Sequence, residues 1–224
     1  MACDIAILDD RAHKIIQAFW PGPLTLVLPK AKQARLSSNV TAGLETVAVR
    51  FPNHVAAQHL INTFGKPIAA PSVNLSGQIT LMRPQDIWDT FGHFQDFNLL
   101  DGTSPNVGLE STILDLSRKI PLILRSGFIT KESIQNILGE PVLYCDNKEE
   151  IRAPGMMLRH YAPEKKLIMN TTSQDNILFL GFGSQDGILN LSPSGNLIEA
   201  AQNLYIMIKT LDDMEQKDTI GVAS

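Results

Sequence analysis

Strand-like apolar runs alternate with segments whose apolar residues recur at helical spacing along most of this 224-residue chain. This alternation indicates an α/β fold with a mixed sheet and flanking helices. The predicted strands are residues 24–28, 46–50, 67–71, 97–100, 111–115, 121–125, 167–170 and 177–181, with the start of another in TIGVA near the end. The predicted helices are residues 9–19, 54–64, 84–91, 130–138 and 197–213.

Five short blocks between Thr46 and Tyr161 set polar residues at or beside such an apolar run. The blocks are TVAVR, IAAPSVNLSG, GLESTILDL, LILRSG and APGMMLRHYAP. Core strands rarely end in Arg, Asn or Ser, because a desolvated polar group without a partner costs several kcal/mol, roughly. A polar ligand is the partner that this pattern favours, so the blocks predict a ligand cleft.

The alternation of side chains in an extended strand sorts these polar residues by face. In TVAVR the side chains of Thr46, Ala48 and Arg50 share one face, and the two valines between them point to the core. The same rule places Ser72 and Asn74 on one side of their block. In GLESTI it separates the serine from its neighbours and leaves open which side faces the cleft.

Arg50 and Arg125 are the candidate charge carriers of the cleft. A guanidinium at the end of an apolar strand suits a carboxylate or phosphate, since its planar fork binds either group through two hydrogen bonds. The alternative is an ion pair with an acid at the core edge, such as Glu110 or Asp115. The presence of both arginines together with Ser111 and the Ser72 block favours a ligand site.

Several other chemistries lack their motifs. The chain contains no GxxxxGK[ST], HExxH or GxSxG, and its glycines at 181, 183 and 187 follow a strand with the spacing GxGxxxG. That spacing favours an ordinary turn from a strand into a helix over a dinucleotide site. Cys3 and Cys145 are isolated, so neither a disulfide framework nor a zinc site is indicated. His160 is the histidine in the most promising context, although a loop residue that packs on the domain is as good an interpretation.

Charge and hydropathy argue against two classes of partner. The formal net charge is −4, so no broad basic field is present to hold the phosphates of nucleic acid, and direct RNA binding is not suggested. No apolar run approaches the ~20 residues that span a bilayer, and the first residues lack the pattern of a secretory signal. The cytoplasm is the expected location.

Both ends of the sequence look cut, which leads us to expect a fragment of a longer protein. The predicted domains are residues 1–140, a linker or lid at 141–163, and the start of a small Rossmann-like α/β domain at 164–224. The segment 141–163 is assigned as a lid because it combines charge, Gly and Pro without any periodicity.

Six ordered blocks closely resemble the threonylcarbamoyl-AMP synthase family with its YrdC-like domain. They are FWPGPLTLVL, TVAVRFPNH, KPIAAPSVNLSG, VGLESTILDL, LILRSG and APGMMLRHYAP, which lie within residues 1 to about 163. NLSPSGNLIEAAQNLY is similar to the smaller C-terminal domain of the family's longer members. The resemblance implies a YrdC-like twisted mixed sheet; the N-terminal segment of the family, with its KxRP-like motif, has no counterpart in this sequence.

The resemblance also implies an enzyme, a nucleotidyltransferase that makes threonylcarbamoyl-AMP and pyrophosphate from L-threonine, bicarbonate and ATP. A partner complex then transfers the threonylcarbamoyl group to tRNA. Mg²⁺ is the expected companion of ATP. By motif, the residues expected to bind threonine are Arg50, Ser72 and Ser111. Those expected to bind ATP are Thr46, Asn74, Arg125, Arg159, His160 and Tyr161.

No protein nucleophile is needed for the implied reaction, and the motifs identify neither a catalytic residue nor a general base. Two other functions stay open. One is a nucleotide- or RNA-binding remnant of the family that does not catalyse the reaction. The other, with less support, is a carbamoyl-transfer protein of hydrogenase maturation, which shares the YrdC-like domain.

Overall fold

The structure of the chain is a computed structural model that describes residues 1–74, 79–100, 108–145 and 162–223. Contacts between Cα atoms divide the chain into two units. The first consists of Met1–Ala70 and Glu110–Leu158, and the second of Pro71–Leu109 and Arg159–Ser224. The predicted domains differ from these units chiefly by placing 71–109 with the first domain, and the predicted boundaries stay a prediction.

The described residues contain helices and strands in mixed order. The helices are α1 (Ala2–Ile5), α2 (Asp10–Phe19), α3 (Ser38–Thr41), α4 (Val55–Phe64), α5 (Pro84–Phe91), α6 (Lys131–Leu138) and α7 (Leu197–Asp212). The strands are β1 (Leu24–Pro29), β2 (Thr46–Arg50), β3 (Thr112–Asp115), β4 (Leu122–Arg125), β5 (Leu143–Tyr144), β6 (Lys166–Ile168), β7 (Leu178–Gly181), β8 (Leu189–Asn190) and β9 (Thr219–Val222).

The first unit is built on a mixed sheet with strand order β2-β1-β3-β4-β5. Strand β1 is antiparallel to β2 and parallel to β3, and β4 is antiparallel to β3 and parallel to β5. The predicted twisted mixed sheet with flanking helices is confirmed for this unit.

Helices α2 and α6 cover one face of this sheet. Helix α2 begins where the Asp9 side chain accepts a hydrogen bond from the backbone N–H of Ala12, and α6 begins at a similar cap from Thr130. Each helix then buries apolar residues spaced for one face. The core on this side includes Ile15, Leu26, Leu114, Ile123 and Ile134.

The opposite face of the sheet has a smaller apolar patch, which consists of Val27, Ile113, Leu122 and Leu124. Paired residues of neighbouring strands project to the same face, so the strand register decides what surrounds this patch. Thr25 of β1 is paired with Arg50 of β2 and with Ile113 of β3. Ile113 is in turn paired with Arg125 of β4. The two candidate arginines therefore stand at the ends of one row across four strands.

The second unit contains an all-parallel sheet with strand order β6-β9-β7-β8. Helix α7 begins at Asn196, whose side chain accepts hydrogen bonds from the backbone N–H groups of Ile198 and Glu199. The helix packs its apolar side on the sheet. A parallel sheet with a packed helix is the arrangement expected at the start of a Rossmann-like domain.

Most of the predicted elements are present, but two predicted strands are wrong. Residues 67–71 are not paired in a sheet, and Pro67 and Pro71 bracket this stretch without N–H donors for a ladder. Residues 97–100 are also unpaired, and the ring of Phe97 packs against Trp88 and Phe91 of α5. The short elements α1, α3, β5 and β8 were not predicted, since two to four residues carry no recognisable period.

The glycine-containing turn after β7 also differs from the prediction. The expected element after this turn is a helix, whereas the structure has the short strand β8 there, parallel to β7. Gly187 is confined by the backbone: a Cβ atom would lie 2.9 Å from Gly181 N and 3.0 Å from Leu189 O. The glycines thus allow two chain segments to approach closely.

Candidate functional site

The row of residues from Arg50 to Arg125 forms the candidate site of the first unit. Neighbouring strands are about 4.8 Å apart, so the Cα atoms at the two ends of the row are separated by about 14 Å. Two long side chains can reduce this separation considerably. In addition to partial burial, the positive charge of Arg125 acts on Arg50 and lowers its pKa.

Arg50 is the cation without an acidic partner in this row. Its Nε donates to the backbone oxygen of Gly22 at 3.1 Å, and Gly22 is itself held by a hydrogen bond from its N–H to Phe51 O. No carboxylate within the described ranges forms an ion pair with Arg50. Partial burial of the guanidinium, and then the charge of Arg125, lower the pKa of Arg50 from its ordinary value, although the residue as a whole stays exposed. A bound anion would relieve the repulsion.

Arg125 holds Ser111, the residue just before β3. Its Nε and Nη2 donate to the backbone oxygen of Ser111 at 3.1 and 2.9 Å, and Nη2 also lies 3.1 Å from Ser111 Oγ. Ser111 is only 4% exposed. Asp115, one of the acids considered as a partner of the arginines, instead lies 3.3 Å from Arg118 and accepts hydrogen bonds from Ser117. The Nε and Nη2 groups of Arg125 therefore hold Ser111 in place.

Thr25 is a member of this row that the sequence analysis did not identify. Its Oγ1 lies 2.7 Å from Ser111 Oγ. A hydroxyl between the fully buried Leu24 and Leu26 was the available signal, because alternation places it on the opposite face from both leucines. Which strand would lie beside it could not be read from the sequence.

The backbone around Ser111 is supported on both sides. A Cβ atom on Gly127 would lie 2.5 Å from Glu110 O and from Thr112 N, so the glycine of the LILRSG block allows the two chain segments to touch. On the other face, Thr112 Oγ1 donates to Ile129 O at 2.7 Å and accepts from Ile129 N at 3.0 Å. Ser111 and Thr112 therefore have separate roles, as the strand alternation predicts.

The remaining predicted site residues are not in this row. Thr46 is half-buried at the other end of β2, paired with Pro29, about 13 Å along the strand from Arg50. Ser72, which is exposed, and Asn74 belong to the second unit, so their relation to the arginines stays a prediction. Arg159, His160 and Tyr161 lie outside the described residues.

The described ranges hold no cluster of metal-ligating side chains and no membrane-spanning helix. No group of three or more His, Cys, Asp or Glu side chains is placed there to hold a metal ion. None of the helices described is both long enough and apolar enough to cross a bilayer. The candidate site consists of guanidinium, hydroxyl and backbone groups, which suit an anionic organic ligand.

Two family models match this chain in succession. The Sua5, YciO and YrdC family, described as "Telomere recombination", matches residues 1–127. The family described as "Threonylcarbamoyl-AMP synthase, C-terminal domain" matches residues 129–224.

Curated relatives carry the same name. Threonylcarbamoyl-AMP synthase of Pyrococcus abyssi is 38% identical over 92% of this chain, and that of Bacillus subtilis is 41% identical over 79%. The chain spans 66% and 54% of the lengths of these two relatives.

A crystal structure of P. abyssi Sua5 in complex with L-threonine has a similar fold. It superposes with a TM-score of 0.85 at 30% sequence identity, over 99% of this chain and 71% of that one. Since the first family model alone matches more than half of the sequence, the chain belongs to the Sua5–YciO–YrdC family, and within it to the threonylcarbamoyl-AMP synthases that carry this C-terminal domain.

Proposed function

We propose that this chain acts as an L-threonylcarbamoyladenylate synthase. The reaction joins L-threonine, bicarbonate and ATP into threonylcarbamoyl-AMP and releases pyrophosphate, and a separate complex would transfer the threonylcarbamoyl group to tRNA. The observation that carries the proposal is Arg50, a cation with no carboxylate partner in the described ranges, in one row with Arg125, which holds Ser111 by hydrogen bonds. Support also comes from the family and from the relative solved with L-threonine.

On the amino-acid side, Arg50, Ser72 and Ser111 would bind threonine. The Arg50 guanidinium forms no ion pair with an acid of the described part of the chain and is destabilised by a neighbouring cation, so it gains from an incoming carboxylate. The buried hydroxyl of Ser111 would add one hydrogen bond of defined direction. Ser72 joins them through its motif, and its place in the cleft is part of the proposal.

On the nucleotide side, Thr46, Asn74, Arg125, Arg159, His160 and Tyr161 would bind ATP. Arg125 already donates to Ser111 through Nε and Nη2, so its main effect on a phosphate would be its charge. Mg²⁺ would enter with ATP, because Mg²⁺ is commonly held by substrate phosphates and waters with only one or two protein carboxylates.

The chemistry requires positioning and charge stabilisation more than a reactive side chain. A carbamate oxygen of N-carboxylated threonine would attack the α-phosphorus of ATP, and the bond to the pyrophosphate oxygen would break in line. The attacking group and the leaving group both carry negative charge. Two guanidinium groups in one row would lower the cost of bringing these charges together.

The alternative is a family member that binds nucleotide or RNA without turnover. Because the net charge is −4, nucleotide is a better candidate than RNA for such binding.

Pyrophosphate release from the purified chain tests the proposal. We expect release to require threonine, bicarbonate and ATP together, and Arg50→Ala to lower kcat/KM for threonine by about 10- to 100-fold, the value of a charge-assisted hydrogen bond. Arg50→Lys should recover part of this loss. Arg35→Ala, at an exposed arginine outside the row, is the matched control. ATP binding without pyrophosphate above background would support the alternative.

A further inference from the structure

We propose that Thr25 is a positioning residue that makes the Ser111 hydroxyl a hydrogen-bond donor to the substrate carboxylate or carbamate. The inference rests on the proposed function, which supplies an anionic amino-acid substrate. It concerns a residue outside the motif-derived site, on β1, an inner strand of the row. Its basis is the short contact between two hydroxyl groups from distant parts of the sequence.

The strand register puts Thr25 between the two ends of the row. Thr25 is paired with Arg50 on one side and with Ile113 on the other, and paired residues share a face. Its Oγ1 lies 2.7 Å from Ser111 Oγ although the two residues are 86 positions apart. The two hydroxyls therefore lie on β1 and just before β3, the two strands between those that carry the arginines.

The bonding capacity of a hydroxyl limits how Ser111 can be used. Its oxygen accepts two hydrogen bonds and its hydrogen makes one. Arg125 Nη2 at 3.1 Å takes one of the acceptor positions, and a guanidinium can only donate. If Thr25 donates to the other acceptor position, the hydrogen of Ser111 is all that remains. Ser111 then presents a donor to any ligand.

The reverse direction would suit a different ligand. If Ser111 donated to Thr25, its remaining lone pair would face the ligand, which is unfavourable when the ligand is an anion. Two guanidinium groups select an anion in this row, so the donating direction of Thr25 is the one that agrees with its surroundings. Since Ser111 is 4% exposed, bulk water is a poor substitute for Thr25.

Binding of L-threonine by calorimetry and steady-state pyrophosphate release test the role of Thr25. Thr25→Val keeps the side-chain shape and removes the hydroxyl, and we expect its Kd and KM for L-threonine to rise about tenfold with the KM for ATP unchanged. Thr25→Ser should restore affinity to within about twofold. Thr130→Ala removes a helix cap on the opposite face of the sheet, so it controls for lost stability without altered affinity.

A double variant separates positioning from direct contact. Because Thr25 acts through Ser111, Thr25→Val combined with Ser111→Ala should bind L-threonine no more weakly than Ser111→Ala alone. Independent, multiplying losses would overturn the proposal and indicate that Thr25 contacts the substrate itself. Wild-type affinity in Thr25→Val would also overturn it. An absence of threonine binding by the wild type would overturn the proposed function as well, so the two failures are distinguishable.

Discussion

The guanidinium of Arg125 binds Ser111 at two kinds of atom, the backbone oxygen at 2.9 and 3.1 Å and the side-chain Oγ at 3.1 Å. Arg125 thereby fixes the path of the chain just before β3 and occupies one of the two acceptor positions of the Ser111 hydroxyl. A residue that the motif assigns to ATP thus also shapes the proposed threonine site.

Replacing the guanidinium of Arg125 tests how much its hydrogen bonds to Ser111 stabilise the fold. Arg125→Lys keeps the charge but loses the planar fork, so one ammonium cannot reproduce the contacts with both Ser111 acceptors. We expect a loss of about 1–2 kcal/mol in the free energy of unfolding, measured by urea titration. Arg83→Lys is the control, since Arg83 forms an exposed pair with Asp86 and should lose less than about 0.5 kcal/mol. Equal losses in the two variants would contradict the structural role.

The close approach of Gly127 to the neighbouring backbone gives a second test. In Gly127→Ala the new Cβ would lie 2.5 Å from Glu110 O and Thr112 N, and backbone atoms cannot rotate away. We expect destabilisation of about 2–3 kcal/mol together with weaker binding of L-threonine, because Ser111 would shift. Gly139→Ala meets open space at φ +71°, so strain alone should cost about 1 kcal/mol. Thermal unfolding of both variants compares the two costs.

The two hydrogen bonds between the Thr112 hydroxyl and the Ile129 backbone predict that loss of this one hydroxyl destabilises the fold. Thr112 is fully buried, and both hydrogen bonds of its Oγ1 go to the backbone of Ile129. Thr112→Val would leave that N–H and C=O without a partner, so we expect a loss of about 1–3 kcal/mol in urea unfolding. Thr210→Val, which removes a hydroxyl bonded within its own helix to Ile206 O, is the matched control and should cost much less. A loss of stability in Thr112→Val no larger than in Thr210→Val would show that water replaces the two hydrogen bonds of the Thr112 hydroxyl.

The cap of α2 predicts a pH dependence of stability. Burial acts to raise the pKa of Asp9, but the hydrogen bond from Ala12 N and the contacts with Arg11 outweigh it and lower the pKa below its ordinary value. A lowered folded-state pKa adds stability that is fully present above the unfolded pKa of about 3.9 and is lost as pH falls through the folded pKa.

Asp9→Asn tests this pH dependence because an amide oxygen can still cap the helix. We expect wild type to be more stable than the variant at pH 7 and the difference to shrink below about pH 4, in urea titrations across pH. Glu45→Gln, at a side chain that is 90% exposed, should show a nearly constant difference. A constant difference for Asp9→Asn as well would contradict the assigned role of the charge.

Local patterns were sufficient for most elements and for part of the site. Alternation in TVAVR predicted that Val47 would be buried while Arg50 stayed accessible, and it separated Ser111 from Thr112. The helices predicted at residues 9–19 and 197–213 are present and begin after the caps Asp9 and Asn196, because a helix start is recognised within a few residues. The false strand at 67–71 shows the limit, since an apolar run does not reveal whether a partner strand exists.

The sequence by itself determined which residues face the same way along each strand and where most of the helices begin and end, because these properties depend on neighbours within one or two turns or residues. Only the tertiary structure decided that Thr25 meets Ser111, that Arg125 binds the Ser111 backbone and that Gly127 touches Glu110. Those contacts depend on strand order and register, which are set by packing between segments far apart in the chain and leave no local period.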